Sequence, residues 1–219
     1  MAWQQSKEPD YYRLDRAELY AFARASGLKI GGRVLNVGCA AGVDSEHLRR
    51  LGAETIHGIE PVEEAASLAR DSYDSVFVGG LDDWTWDGQP YDLIVVADVL
   101  EHMVDPFAAL SSMRKCLSEQ GRLLVSIPNV RHLSVVWTLV ARGDWRYEKS
   151  GIMDDTHLRF FTRRSFVRLL HSVGYDVVAL QRWGQLRLSR ALSRFIPGSG
   201  EFLLSQILIL AGPSIRHAR

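Results

Sequence analysis

Two stretches, Tyr91–Ala97 (YDLIVVA) and Arg122–Ile127 (RLLVSI), constrain this chain most. Each is apolar at nearly every position, with no alternation of polar and apolar residues. A strand of that kind has to be covered on both faces, which is the condition of a parallel sheet flanked by helices. Shorter strand-like segments at 33–37, 55–59, 75–78, 175–180 and 206–210 alternate with helical stretches. The helical spacing predicts helices over about 15–26, 44–51, 61–69, 106–117 and 164–173. Pro61 is placed as the first residue of its helix, Gly121 as the stop after the fourth and Gly174 after the last. The expected fold is an α/β doubly wound Rossmann-like sheet of seven strands, helices on both faces, the last strand antiparallel beside the sixth.

Two segments break the alternation: 129–162, after the fifth strand, and 183–201, before the last. Insertions of this length in such a sheet shape a binding site or its cover. The expected organisation is an N-terminal helical lid over 1–30 and a ligand-binding domain over 31–219 carrying both insertions.

The 219 residues hold 26 Lys+Arg and 26 Asp+Glu, a formal charge of zero, which argues against nucleic acid as the partner. The two cysteines, Cys39 and Cys116, form neither a disulfide framework nor a metal-type pair, so a reducing, cytoplasmic setting is expected. The polar N-terminus MAWQQSKEPDYYRLDR is unlike a secretion signal, and the densest apolar run, FLLSQILILA, is too short for membrane insertion. Arg182, Arg187, Arg190 and Arg194 lie among apolar residues, a pattern open to a membrane surface, a partner or a capping helix. Exposed apolar groups in the insertions would permit a homodimer.

Gly38 and Gly42 follow the first strand, with Ala40 and Ala41 keeping the turn slim. Small residues there let backbone N–H groups approach a ligand. Glu60 ends the second strand roughly 20 residues on, the offset of a carboxylate that holds a ribose diol. GCAAGV lacks the second and third glycines of a dinucleotide motif. It resembles instead the first motif of class I S-adenosylmethionine (SAM)-dependent methyltransferases, with Asn36 where an acid is usual and Ala40 where the middle glycine is usual. An alanine there is tolerated only at negative φ, and Asn36 cannot neutralise an ammonium, so weaker SAM affinity is expected.

HGIEP (57–61), YDLIVVADVLEHMVDP (91–106), GRLLVSIPNVRH (121–132) and DDTHLRFFTRRSF (154–166) extend the resemblance. The last is similar to a segment of bacterial methyltransferases found near sugar and polysaccharide gene sets. The run Asp98-x-x-Glu101-His102 resembles that of the ubiquinone-biosynthesis O-methyltransferases. The resemblance implies that Gly38, Cys39, Ala40 and Gly42 line the methionine end of SAM and that Glu60 holds its ribose. It puts Asp82 on the adenine side, with Asp83 one residue away as the alternative, and Ala97 and Asp98 beside the sulfonium. The activity implied is methyl transfer to a small molecule, at a hydroxyl of a sugar, glycan or natural product. A non-catalytic SAM-fold subunit and a nicotinamide-dependent oxidoreductase are the alternatives.

Three groups are placed for the acceptor chemistry. Asp98, Glu101 and His102 share a face if the chain turns helical at Asp98, and either hold a divalent metal, supply His102 as a base or anchor a loop. Asp155 beside His157 makes an oriented base, with Arg159 reading the acceptor, or else this run pins the insertion. Asn129 and His132 follow the fifth strand and contact either acceptor or loop, and Tyr12 joins Tyr11 in the lid. The metal-free route, with His157 as base and His102 acting through stability, is the one adopted.

Overall fold

The computed structural model describes residues 12–181 and 199–214. Tyr11, the basic segment 182–194 and most of the predicted 183–201 insertion lie outside the described residues. The helices are α1 (Ala17–Ala25), α2 (Ser45–Arg50), α3 (Glu63–Ala69), α4 (Pro106–Cys116), α5 (Leu133–Arg142) and α6 (Arg163–Ser172). The strands are β1 (Gly32–Val37), β2 (Ala53–Glu60), β3 (Ser75–Val78), β4 (Tyr91–Ala97), β5 (Leu117–Pro128), β6 (Tyr175–Leu180) and β7 (Gln206–Pro213).

They form one sheet in the order β3-β2-β1-β4-β5-β7-β6. β1 pairs in parallel with both β2 and β4, so the strand order reverses between β1 and β4. In open α/β sheets ligands bind at the carboxyl ends of the strands at that reversal. β7 runs antiparallel between β5 and β6, as the sequence predicts.

Successive residues of the central strands feed opposite faces. Leu35, Ile94 and Leu123 join Leu110 and Met113 of α4 and Phe166 and Leu170 of α6. Val34, Leu93 and Leu124 join Leu19, Tyr20 and Phe22 of α1 and Leu48 of α2. This two-sided burial is why the runs are apolar at every position.

Local chemistry sets the helix ends, and two of them depart from the sequence expectation in their capping residue. α3 begins at Glu63 with Val62 as cap, so Pro61 ends the turn leaving β2 rather than opening the helix. α4 stops at Cys116, where Leu117 is already extended, and Gly121 lies inside β5. A Cβ on Gly121 would come within 2.9 Å of the Tyr91 carbonyl, so this glycine serves close strand approach. The 129–162 insertion contains α5, which the spacing did not predict. His132 caps it through Nδ1, which accepts from the Ser134 N–H, and left-handed Gly143 (φ +64°) ends it. Asp105 caps α4 ahead of Pro106, and Thr162 and Ser165 close a reciprocal cap on α6.

Candidate functional site

A cavity of about 420 Å³ opens at the carboxyl ends of β1–β4, within the range of small-ligand pockets. Gly38, Ala40, Glu60, Asp82, Asp98, His102 and Tyr12 are on its wall, as are Arg16, Val99, Met103 and Thr156. Of the predicted pair Asp82 and Asp83, Asp82 lines it and Asp83 does not, and Gly80 lines it as well. Cys39, Gly42, Ala97, Asp155 and His157 are not on the wall.

The glycine turn explains part of that division. Gly38 (φ +73°) needs both its backbone freedom and its missing side chain, since a Cβ would meet Val99 Cγ2 at 2.4 Å. Cys39 turns into the core, its Sγ packed over Gly58, and burial pushes the thiol far above its ordinary pKa. Gly42 faces α3: a Cβ would lie 2.9 Å from Ala69 Cα. Ala97 is buried at the end of β4.

Ala40 has φ +49°, contrary to the expected negative value. The left-handed conformation aims its N–H at Glu60, whose Oε2 accepts at 2.9 Å while Oε1 accepts from the Val62 N–H at 3.0 Å. Glu60 thus ties the glycine turn to the start of α3 while facing the cavity. Since an alanine in this region carries roughly 1–2 kcal/mol of strain, Ala40→Gly is expected to stabilise the ligand-free protein. The glycine's larger unfolded-state entropy offsets about half, leaving a gain of about 0.5–1 kcal/mol. Thermal denaturation of the two proteins checks it, and a lower melting temperature for the glycine variant would contradict the strain argument.

Asn36 is fully buried and off the wall. Its Nδ2 donates to Asp44 Oδ2 at 3.1 Å and Tyr73 Oη at 2.8 Å. The asparagine therefore braces the floor of the turn, and the expected loss of affinity does not follow from its identity. The wall instead carries Arg16, just ahead of α1, whose guanidinium lies 3.6 Å from Asp44 and 3.7 Å from Asp98. Sequence reasoning missed Arg16, because nothing in its neighbourhood signals that α1 packs beside the strand ends.

Beyond β4 the chain does not become α-helical. Asp98 takes φ +56°, and a 3-10 turn follows over Leu100–His102. Asp98 Oδ1 accepts from Ser126 Oγ and Gln206 Nε2, both at 3.0 Å. The predicted face of Asp98, Glu101 and His102 is replaced by a different group, in which Glu101 and His102 meet His157. The His102 and His157 rings lie edge to face with centroids 4.8 Å apart. Burial, then the nearby Asp98 charge, raises the Glu101 pKa well above the carboxylate range.

The predicted Asp155–His157 dyad is not the arrangement seen. Asp155 accepts from Lys149 Nζ at 2.7 Å, and His157 Nδ1 faces the Ile152 carbonyl at 3.0 Å. Asp154, buried behind the wall, is the carboxylate linked to it, through Thr156. Its Oδ1 accepts from Thr156 Oγ1 at 2.6 Å, and Thr156 Oγ1 and carbonyl both face His102 Nδ1 at 3.2 Å.

The three other predicted acceptor contacts have structural partners. Asn129 Nδ2 donates to the Glu201 and Leu204 carbonyls, His132 caps α5, and Arg159 donates through Nε and Nη2 to the Val104 carbonyl. None is on the cavity wall.

A doubly wound sheet with a glycine turn, a strand-end carboxylate and a cavity at the strand-order reversal defines a nucleoside-binding α/β protein. Residues 9–180 match the methyltransferase-domain family, and the chain belongs to it. Curated relatives include the ubiquinone biosynthesis O-methyltransferase of Neisseria meningitidis, 26% identical over 159 residues, covering 67% of this chain and 65% of that protein. The enzyme of the same name from Cereibacter sphaeroides is 30% identical over 159 residues, covering 68% and 62%. The match thus spans under two thirds of those relatives' length. Among solved structures, a SAM-dependent methyltransferase from Archaeoglobus fulgidus shares the fold, with TM-score 0.64 and 18% identity over 93% of this chain and 96% of that one.

Proposed function

We propose that the protein transfers the methyl group of SAM to a hydroxyl of a small-molecule acceptor, a sugar, glycan or natural product. The observation that carries this reading is Glu60, 4% exposed, on the cavity wall at the end of β2 and held by two backbone N–H groups. Its remaining lone pairs suit a ribose diol, and Asp82 at the far side suits the adenine. Arg16 is the cation for the methionine carboxylate. His102, Met103 and Thr156 form the acceptor end, with an apolar rim of Val104 and Ala108. Methyl transfer is an in-line displacement, so alignment of hydroxyl and sulfonium supplies a large share of the rate. The relatives' names support an oxygen acceptor. No described helix is long and apolar enough to cross a membrane.

Calorimetry with S-adenosylhomocysteine (SAH) and NADH tests the cofactor. Binding of SAH and not NADH is expected, and the reverse would move the protein to the oxidoreductase alternative. Transfer of label from SAM to hydroxylated acceptors tests the reaction, and SAH binding without turnover on any of them favours the non-catalytic subunit.

The SAH affinity carries a pH signature. Burial raises the Glu60 pKa, with the Val62 and Ala40 N–H groups and Arg16 opposing. The carboxylate is the accepting form, so protonation removes acceptors as pH falls through that raised pKa. Affinity is therefore expected to decline on acidification before the ordinary carboxylate range near 4.3 is reached. Glu60→Gln should abolish this limb, and an identical pH profile in both proteins would refute the assignment.

A further inference from the structure

Glu101 is 1% exposed, and among the described residues neither of its carboxylate oxygens has a hydrogen-bond partner. Buried polar groups are rarely left so, and an unaccompanied buried carboxylate is costly. The backbone of Glu101 is well used: its carbonyl accepts from the Leu158 and Arg159 N–H groups at 2.8 and 2.9 Å. The insertion is therefore laid directly against the turn that carries this side chain.

Two imidazoles stand beside it with their tautomers set. Thr156 Oγ1 gives its proton to Asp154 and so accepts, with the Thr156 carbonyl, from His102 Nδ1–H. The Ile152 carbonyl accepts from His157 Nδ1–H. In each neutral ring Nε2 then carries the lone pair, the form in which histidine ligates metals, with an acceptor behind Nδ1 to orient it. One ligand atom from each of Glu101, His102 and His157 lies within 4.8 Å of the other two.

We propose that Glu101, His102 and His157 form a binding site for a divalent transition-metal ion of the zinc class. Two imidazoles and one carboxylate are borderline donors that suit Zn²⁺ or Co²⁺, whereas Mg²⁺ and Ca²⁺ seek oxygen. This is not the ligand set read from Asp98-x-x-Glu101-His102, because Asp98 is committed to Ser126 and Gln206. The third ligand comes from the insertion. The ion would join the 129–162 segment to the turn after β4, at the edge of the cavity that His102 lines. When bound, such an ion supplies Lewis-acid polarisation of an oxygen ligand. The placement at an acceptor end rests on the function proposed above, but the site itself does not.

The test uses the full chain, stripped with chelator and titrated with Zn²⁺, Co²⁺ or Mg²⁺ alone. Expected are one tightly bound equivalent of Zn²⁺ or Co²⁺, visible Co²⁺ absorption bands of an imidazole-containing site, a higher melting temperature, and no response to Mg²⁺. Glu101→Gln and His157→Gln should each weaken Co²⁺ binding by about 100-fold or more. Glu101→Gln should melt no lower than wild type in the metal-free state, since a neutral amide replaces the partnerless carboxylate. Absence of Co²⁺ binding, unchanged binding in both variants, or a preference for Mg²⁺ would overturn the proposal. SAH calorimetry on the same samples separates the two readings: SAH binding without metal removes only the ion, and metal without SAH removes only the methyltransferase.

Discussion

Glu60→Ala weakens SAH binding by about 1.5–3 kcal/mol, roughly 10- to 150-fold, the expected loss for charge-assisted hydrogen bonds to a diol. Two effects add here. The ribose loses its acceptor, and the Ala40 and Val62 N–H groups lose theirs. Without Oε2 to receive its N–H, Ala40 has less reason to hold φ +49°, so the turn that forms the methionine end loosens as well. Glu60→Gln keeps one oxygen and should fall between wild type and alanine. SAH is the right probe because it keeps the ribose and adenine but has no methyl group to transfer, so binding is measured without turnover. An alanine variant that is folded by circular dichroism and binds SAH as tightly as wild type would place the nucleoside elsewhere.

The sheet was legible because the sheet is where the physics is strongest. β4 coincides with its predicted run because burial on two faces leaves an unbroken apolar signal, and the edge strands β3 and β6, which are only partly buried, coincide with theirs because short valine-rich runs bounded by turn residues mark them. α5 was not legible for the converse reason. Leu133, Val135, Val136, Trp137, Leu139 and Val140 are apolar nearly all round, yet only Val135 is buried among them. Trp137 is 62% and Val140 78% exposed, so no core-facing stripe marks the helix. Gly121 was misread because a glycine after a helical stretch signals a stop equally well whether the chain turns or enters a strand.

At the site, Gly38, Ala40, Glu60, Asp82 and Asp98, singled out by counting to the strand ends, all line one cavity. What failed was anything that depended on a single backbone dihedral. The left-handed turn at Asp98 removes it from the face of Glu101 and His102 and lets the insertion deliver His157 instead. Likewise Asp155 and His157 are two apart in sequence but look to Lys149 and Ile152. Sequence adjacency set neither pairing; the path of the insertion did.

His102→Ala is expected to lower kcat by roughly 10²–10⁴ while leaving SAH affinity nearly intact, since the imidazole is on the cavity wall, at the end proposed for the acceptor. His157→Ala separates two ways in which that imidazole works. A lone base at His102, oriented by Thr156 and Asp154, needs nothing from His157, which does not line the cavity. A cluster that holds an ion needs both rings and Glu101 equally. The proposed site therefore predicts that His157→Ala matches the loss in His102→Ala, that the double variant is no worse than either single, and that Zn²⁺ or Co²⁺ restores a stripped wild-type enzyme but neither variant. Non-additivity is the informative result, because two residues acting through one ion are lost together. If His157→Ala keeps wild-type kcat while His102→Ala does not, the Asp154–Thr156–His102 chain is the catalytic device and the imidazole is a base. If both keep it, alignment in the cavity carries the transfer and neither ring has a chemical role.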